Sequence, residues 1–232
     1  MALAHSPTIV TEGLDEVIDA GDPKCLTASD SIQGRINQLS NVRAGSGITF
    51  SDGVTNSTGA GGSLSWSRSI NWAETSFTFS GWGNRDDLDD DKEGRIVDVL
   101  NAGNGHLRLT LKTNPTFIFR PTAGGGNTLI SATKTINAGE WYNLVVVKSG
   151  ETSGGSASYV MYLNGEQIAT NTSSALATDS NFTRYRLMRS ADDDQSSISW
   201  LGKFGPFYSY TRALTDSEVL QNYNATKSRF GL

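Results

Sequence analysis

Cysteine and histidine are nearly absent from this chain of 232 residues. Cys25 is the single cysteine, so no disulfide can form within the chain and no thiolate cluster can bind a metal. His5 and His106 are the two histidines, which excludes metal sites built from several imidazoles. The sequence therefore predicts a protein that requires no cofactor.

Basic residues and long apolar runs are also scarce. The chain has 19 Lys and Arg against 24 Asp and Glu, a net charge of -5, whereas a nucleic-acid-binding domain has a basic face. No apolar run approaches the ~20 residues that cross a bilayer. The first residues lack the basic and then apolar pattern of a secretion signal. We expect neither a nucleic-acid partner nor a membrane segment.

Short β-prone segments make up most of the chain. Most have four to eight residues and are bounded by Gly, Asn, Asp or Ser, which is typical of strands. Their even spacing indicates an all-β fold of two antiparallel sheets. The predicted strands are Ile48–Ser51, Ser63–Ser67, Ser76–Trp82, Arg95–Leu100, His106–Leu111, Thr116–Arg120, Thr128–Ser131, Trp141–Lys148, Ser158–Leu163, Glu166–Thr170, Phe182–Met188 and Leu201–Tyr210.

Two local motifs sharpen this prediction. Asn164-Gly165 lies between two β-prone runs, and both residue types accept the positive φ angles of a tight hairpin turn. Thr215 followed by Glu218 forms the pattern of a capping box. It predicts one short helix over Asp216–Tyr223. The stretch Thr27–Ala44 has helical spacing that a glycine interrupts, and it is left open.

An acidic run in the middle of the chain is the strongest chemical signal. Its carboxylates repel one another unless they are hydrated or bind a cation. Lys92 stands where a calcium loop has glycine, so three readings stay open: a solvated hairpin tip, a calcium site or a catalytic strand. The residues at positions 1, 3, 5, 7 and 12 of a calcium-loop template are Asp87, Asp89, Asp91, Glu93 and Asp98.

The catalytic and sugar-binding readings rest on few residues. Asp89-x-Asp91-x-Glu93 is similar to the Glu-x-Asp-x-Glu strand of retaining glucanases, but its first acid is Asp and its surroundings are too polar for a buried cleft. His106 is expected at the surface, at the start of a strand. Trp141 opens an apolar run and is expected in the core. Trp82 is the tryptophan that we consider for an exposed sugar-binding platform.

Several segments resemble a known family. Gly139–Val147, Tyr162–Glu166 and Gly202–Val219 are similar, in this order, to the central strand, the next hairpin and the closing strand and helix of laminin-G-like, concanavalin-A-like jelly rolls. Asn222–Gly231 resembles the C-termini of jelly-roll structural proteins of tailed phages, cyanophages in particular. Ile9–Lys24 resembles their first strand and turn, except that Asp15-Glu16 replaces apolar residues.

The resemblance implies a jelly-roll sandwich with an N-terminal arm, and a role as a structural protein on the surface of a phage particle. It implies a non-enzymatic capsid decoration or cement protein, made in the host cytoplasm. A tail-associated receptor binder for host-surface glycans is the alternative, and a glucan hydrolase comes third. The implied divisions are residues 1–44 for the arm and first strand, 45–223 for the jelly roll and 224–232 for a tail.

The expected partners are other virion proteins, namely the major capsid protein or tail proteins, and further copies of this chain. Apolar residues of the arm are expected to contact these partners, because large exposed apolar patches are rare on soluble monomers. In the other reading, which stays open, the arm completes its own sandwich. The residues assigned to assembly are Leu3, Ile9, Val10 and Leu14.

Overall fold

A computed structural model shows the chain as two antiparallel β-sheets packed face to face, with one helix near the C-terminus. This confirms the fold class predicted from the sequence. No helix of the described residues is long and apolar enough to span a membrane. The structure describes residues 8–22, 25–27, 31–32, 43–45, 47–58, 62–88, 94–101, 105–120, 126–151, 155–176, 181–189 and 200–232.

The strands largely follow the β-prone runs seen in the sequence. The twelve predicted strands all occur, with bounds that shift by a few residues at most, because turn-forming residues bound them. The strands are β1 Leu14–Ile18, β2 Leu26–Thr27, β3 Ser31–Ile32, β4 Arg43–Ala44, β5 Ile48–Ser51, β6 Val54–Thr58, β7 Leu64–Asn71, β8 Phe77–Arg85, β9 Arg95–Asn101, β10 His106–Thr110, β11 Thr116–Arg120, β12 Asn127–Ser131, β13 Trp141–Ser149, β14 Ala157–Leu163, β15 Glu166–Ser173, β16 Asn181–Leu187 and β17 Leu201–Tyr210.

The two sheets enclose one large apolar core. The first sheet has the order β15-β14-β13-β8-β17-β6-β5, with β1 paired to β17, and the second has the order β12-β11-β10-β9-β16-β7-β4. Aromatic side chains fill the space between them, and Trp72 has its ring 5.1 Å from those of both Phe77 and Phe79. Asn164 and Gly165 have φ angles of 53° and 78°, which confirms the predicted hairpin turn between β14 and β15.

Strand β17 connects the chain's two ends to the first sheet. Its first half pairs with β6 and its second half with β1, and the register changes around Gly205-Pro206. Helix α1, Asp216–Thr226, follows with the predicted capping box at Thr215 and Glu218, and a 3₁₀ turn over Lys227–Phe230 ends the chain.

Both ends of the chain pack against the first sheet. Residues of the arm and of α1 share a second apolar cluster on the outer face of the first sheet. The end of the chain reaches the same region, where Arg229 donates hydrogen bonds to Asp19. The described parts of both ends are therefore integral to the sandwich. Most of the ambiguous stretch after Thr27 lies outside the described residues.

Candidate ligand-binding face

The outer face of the second sheet carries a cluster of charged side chains. Val97 and Val99 of β9 lie in the core, so Asp98 between them points to the opposite face. The same alternation directs His106 and Arg108 of β10 outward, because Leu107 and Leu109 are in the core. The strand register places Asp98 opposite Arg108 on one side and Arg186 of β16 on the other.

Asp98 is the centre of this cluster. Its side chain is fully buried and accepts a hydrogen bond of 2.5 Å from Arg95 Nη1, and Arg108 Nε lies 3.4 Å from the same oxygen. His106 Nδ1 lies 3.0 Å from the other carboxylate oxygen. Burial opposes ionisation of Asp98, but the hydrogen bond from His106 and the charges of Arg95, His106 and Arg108 outweigh it and lower its pKa.

The ionised state of Asp98 determines which ring nitrogen of His106 carries a hydrogen toward it. An ionised carboxylate can only accept hydrogen bonds, so Nδ1 of His106 carries the hydrogen. The expectation of a surface histidine was wrong, because the His106 side chain is buried and lies against the buried carboxylate of Asp98.

Arginines also form the edge of the cluster. The cross-strand row next to Asp98 runs from Arg120 through His106 and Leu100 to Arg184. Arg120 and Arg184 are exposed and, at three strand spacings, lie about 14 Å apart. We name this surface, which consists of Arg95, Asp98, His106, Arg108, Arg120, Arg184 and Arg186, the arginine face.

Among the described residues, arginines outnumber acidic residues on the arginine face, although the chain as a whole is acidic. Arg95 and Arg108 are buried within this face. Asp98 is the one acidic residue in the described strands of the second sheet, whereas five arginines lie on its outer face around it. This surface was not among the predicted sites. Polar residues do stand at every second position in His106-x-Arg108 and Arg184-x-Arg186, a pattern that predicts one shared face for each pair.

The structure changes the predicted calcium ligand set. Asp98 belongs to β9 and is bound by arginines, so it is not a ligand of the preceding loop. Asp87 is half-buried, and Asp89, Asp91 and Glu93 lie outside the described residues. Among the residues that are described, no group of three or more His, Cys, Asp or Glu side chains could bind a metal ion. A calcium site within the acidic run stays a prediction.

Trp82 is not a sugar-binding platform. Its exposed fraction is 0%, because its ring stacks on Phe230 and Tyr223 at centroid distances of 4.4 and 5.7 Å. Its indole N–H donates to the Thr226 hydroxyl at 3.0 Å. The prediction of exposure was wrong because the residues that cover Trp82 are about 140 positions later in the chain.

The arm residues assigned to assembly contact their own chain. The amide of Val10 donates to Asn222 Oδ1 at 2.7 Å, and the Tyr210 hydroxyl donates to the Val10 carbonyl at 3.1 Å. Leu14 is buried in the outer apolar cluster, and Ile9 packs against it. Leu3 lies outside the described residues. For Ile9, Val10 and Leu14 the structure therefore favours the reading in which the arm completes its own sandwich.

Comparison with known families places this fold. Residues 57–220 match the Laminin_G_3 model, described as the concanavalin A-like lectin/glucanases superfamily. The chain belongs to this superfamily. The match includes every residue of the arginine face and ends within α1. A search of curated proteins finds no significant match.

Solved structures share the concanavalin A-like fold at low sequence identity. The binding domain of Paraclostridial Mosquitocidal Protein 1 has 18% identity and a TM-score of 0.66, over 92% of this chain and 52% of that one. Domain 4 of AbnA, an arabinanase from Geobacillus stearothermophilus, has 13% identity and a TM-score of 0.65, over 90% of this chain and 98% of that one. The botulinum neurotoxin serotype D binding domain has 11% identity and a TM-score of 0.67, over 93% of this chain and 52% of that one.

These similarities concern the fold alone. This chain spans about half the length of the two toxin binding domains and nearly all of the arabinanase domain.

Proposed function

We propose that this protein is a non-enzymatic glycan-binding protein on the surface of a tailed-phage particle, and that the arginine face binds an acidic glycan. The observation that carries the proposal is the concentration of arginines on one sheet face of an acidic chain. Arginine binds carboxylate and sulfate groups through paired N–H donors, so uronate-bearing or sulfated sugars suit this surface.

The fold family supports the choice of a glycan. The superfamily description includes lectins, and Domain 4 of AbnA was solved in complex with arabinotriose. The phage location rests on the resemblance of both ends of the chain to phage jelly-roll proteins.

A binding role suits the chemistry of the face better than hydrolysis. Most glycoside hydrolases use two carboxyl groups, one as acid and one as nucleophile or base. The described strands of the second sheet contain one, Asp98, and it is fully buried among Arg95, His106 and Arg108. A carboxylate held ionised in this way is a poor general acid, because it has no proton to donate at neutral pH.

Capsid decoration is the second candidate, favoured by the same resemblance of the two ends. The resemblance placed decoration first, with assembly residues assigned to the arm. Of these, Leu14 is buried within the chain, and Ile9 and Val10 are partly buried against the same cluster. Counting copies per particle by quantitative mass spectrometry separates the candidates. Hundreds of copies would favour decoration of the capsid, and a handful would favour a tail-associated receptor binder.

Glycan binding is tested with the rim of the arginine face. The double variant Arg120→Ser/Arg184→Ser should bind uronate-bearing or sulfated oligosaccharides at least tenfold more weakly in calorimetric titration, because a hydrogen bond to a charged group contributes about 1.5–3 kcal/mol. Lys134→Ser/Lys203→Ser is the matched control. It removes two exposed positive charges outside the second sheet and should change affinity less than twofold. Equal losses in both double variants, or no binding of any acidic oligosaccharide by the parent protein, would contradict the proposal.

A further inference from the structure

One described residue of the arginine face, His106, belongs to the type whose charge changes near neutral pH. Histidine ordinarily gains or loses its charge between pH 5 and 8, and His106 is the only histidine of this face. Arginine stays protonated in proteins. The pKa of Asp98 is lowered by its hydrogen bond from His106 and by neighbouring positive charges, so this carboxylate stays ionised. A change of charge on this face near neutral pH therefore falls to His106.

The imidazole of His106 is held with one nitrogen toward Asp98 and the other available. Nδ1 lies 3.0 Å from the Asp98 carboxylate and carries a hydrogen, so in the neutral ring Nε2 presents a lone pair. Nε2 makes no hydrogen bond with the part of the chain that the structure describes. It is not one of the nitrogens that are sealed from solvent without a partner, and 6% of the His106 side chain is exposed. Solvent therefore reaches Nε2.

His106 is the direct neighbour of Arg120 at the exposed rim of the face. The strand register sets the two residues opposite each other on β10 and β11, and the Cβ atoms of such a pair are about 5 Å apart. An anionic group bound to Arg120 would lie within roughly one Debye length, about 8–10 Å, of the imidazole. A neutral His106 offers this group a lone pair, whereas a protonated His106 offers a positive charge and an N–H donor.

The charges around His106 couple its protonation to the binding of an anion. The arginines disfavour a further positive charge, and the carboxylate of Asp98 favours it. A bound anionic group acts in the same direction as Asp98. Because the coupling between two binding events is reciprocal, a proton on His106 strengthens the binding of the anion. The described charged residues around His106 on this face are Asp98 and Arg95 of β9, Arg108 of its own strand, Arg120 of β11, and Arg184 and Arg186 of β16.

We propose that the arginine face binds an acidic glycan together with a proton, which His106 takes up at Nε2. Affinity for the glycan then rises as the pH falls from 8 toward 5.5, because protonation adds one positive charge beside Arg120. This regulation rests on the proposed glycan-binding function of the face. It makes the protein hold its ligand most tightly in mildly acidic surroundings and release it at alkaline pH.

Sulfated maltohexaose is a suitable probe, because its sulfate groups stay ionised over the whole range and the pH dependence comes from the protein. In calorimetric titrations the parent protein should bind it about tenfold more tightly at pH 5.5 than at pH 8.0, a coupling of ordinary size. Titrations at pH 6.5 in two buffers of different ionisation enthalpy should show net proton uptake on binding. Equal affinity at both pH values without proton uptake would overturn the proton coupling alone. Absence of binding at every pH would overturn both this proposal and the proposed function.

Two histidine variants assign the effect to one residue. His106→Asn keeps an N–H donor for Asp98 and removes the imidazole, so its affinity should change less than twofold between pH 5.5 and 8.0. His5→Asn removes the chain's other histidine and should keep the tenfold change of the parent. Melting curves of both variants check their folding. A tenfold change that persists in His106→Asn would overturn the proposal.

NMR of the parent protein gives a test that depends on no variant. The Cε1–H resonance of the His106 ring should move with pH between 5.5 and 8.0. Addition of sulfated maltohexaose at pH 7 should shift it toward its position at low pH. A resonance that moves with neither pH nor probe would show that His106 takes up no proton, and would overturn the proposal even if the glycan binds.

Discussion

Glu16 is an acidic residue placed inside the sandwich. It lies in β1, and its exposed fraction is 1%. Trp66 Nε1 donates to it at 2.9 Å, and the Ser209 hydroxyl donates at 3.3 Å. Arg68, which forms a bidentate pair with Asp15, lies 3.4 Å away. Burial raises the pKa of Glu16 from 4.5 to about 7, and the positive charge of Arg68 opposes this shift only in part.

This shift predicts how stability depends on pH. A carboxyl group with a higher pKa in the folded chain holds its proton more tightly there, so the unfolding free energy falls as pH rises from 4.5 to about 7. At about 1.4 kcal/mol per pH unit, the loss from Glu16 is at most about 3.5 kcal/mol. Glu16→Gln should remove this slope, and urea unfolding of parent and variant between pH 4.5 and 8 measures it.

The other shifted carboxyl groups act in a lower range. A hydrogen bond from Arg212 lowers the pKa of Glu218 to about 2, so its contribution is lost only as pH falls below 4.5. Glu74→Gln, at an exposed position, is the control. If the Glu16→Gln variant keeps the parent's slope above pH 4.5, Glu16 does not titrate as described.

At the scale of elements, helix α1 and the 3₁₀ turn close one side of the first sheet. The capping box begins α1, and Arg212 pairs with its Glu218 through both guanidinium Nη atoms. Phe230 lies between Trp82 and Trp141, with centroid distances of 4.4 and 4.3 Å. A Cβ added at Gly205 would lie 2.8 Å from the Phe230 ring, so a glycine is needed below this stack.

Deletion of residues 227–232 should destabilise the protein. It removes the half-buried Phe230 from the two tryptophans and Arg229 from Asp19, and full burial of a Phe side chain contributes about 1.5–3 kcal/mol. We expect a melting temperature lower by several degrees and a red-shifted tryptophan emission, because water would reach Trp82. Removing Leu232 alone, which is 50% exposed, should change neither. A deletion variant that melts with the parent would show that the turn adds no stability.

At the scale of the whole molecule, the two ends of the chain stabilise each other. Val10 makes hydrogen bonds with Asn222 and Tyr210, which lie 212 and 200 positions later in the chain. Gln221 donates a hydrogen bond to the Thr8 carbonyl. Strand β1 pairs with β17 next to the start of α1. The arm, the last strand and the helix thus form one structural unit.

This arrangement predicts that the arm contributes to stability. Deletion of residues 1–12 should lower the melting temperature, because it removes both Val10 hydrogen bonds and exposes part of the outer apolar cluster. Deletion of residues 1–7 is the comparison that isolates residues 8–12, and differential scanning calorimetry measures both. An unchanged melting curve in the longer deletion would contradict this prediction and would favour the reading in which the arm anchors the protein in an assembly. Incorporation of the deletion variant into particles would then be measured.

Local patterns determined most of the secondary structure from sequence. Short β-prone runs bounded by turn residues identified twelve strands. Asn164-Gly165 and the Thr215–Glu218 capping box identified a turn and a helix, because each depends on residues a few positions apart. Strand β6, Val54–Thr58, was missed because its Thr, Asn and Ser residues carry little hydrophobic signal. The family resemblance predicted the sandwich itself, which the order of the sheets confirms.

Only the tertiary structure decided which side chains form sites. Trp82 is covered by α1 and Phe230, and Asp98 is neutralised by arginines of its own and a neighbouring strand, and neither partner set is visible in the local sequence. The arginine face brings together residues from four strands, β9, β10, β11 and β16. Burial and charge pairing depend on strand register and on contacts between distant segments, which a single sequence does not encode locally.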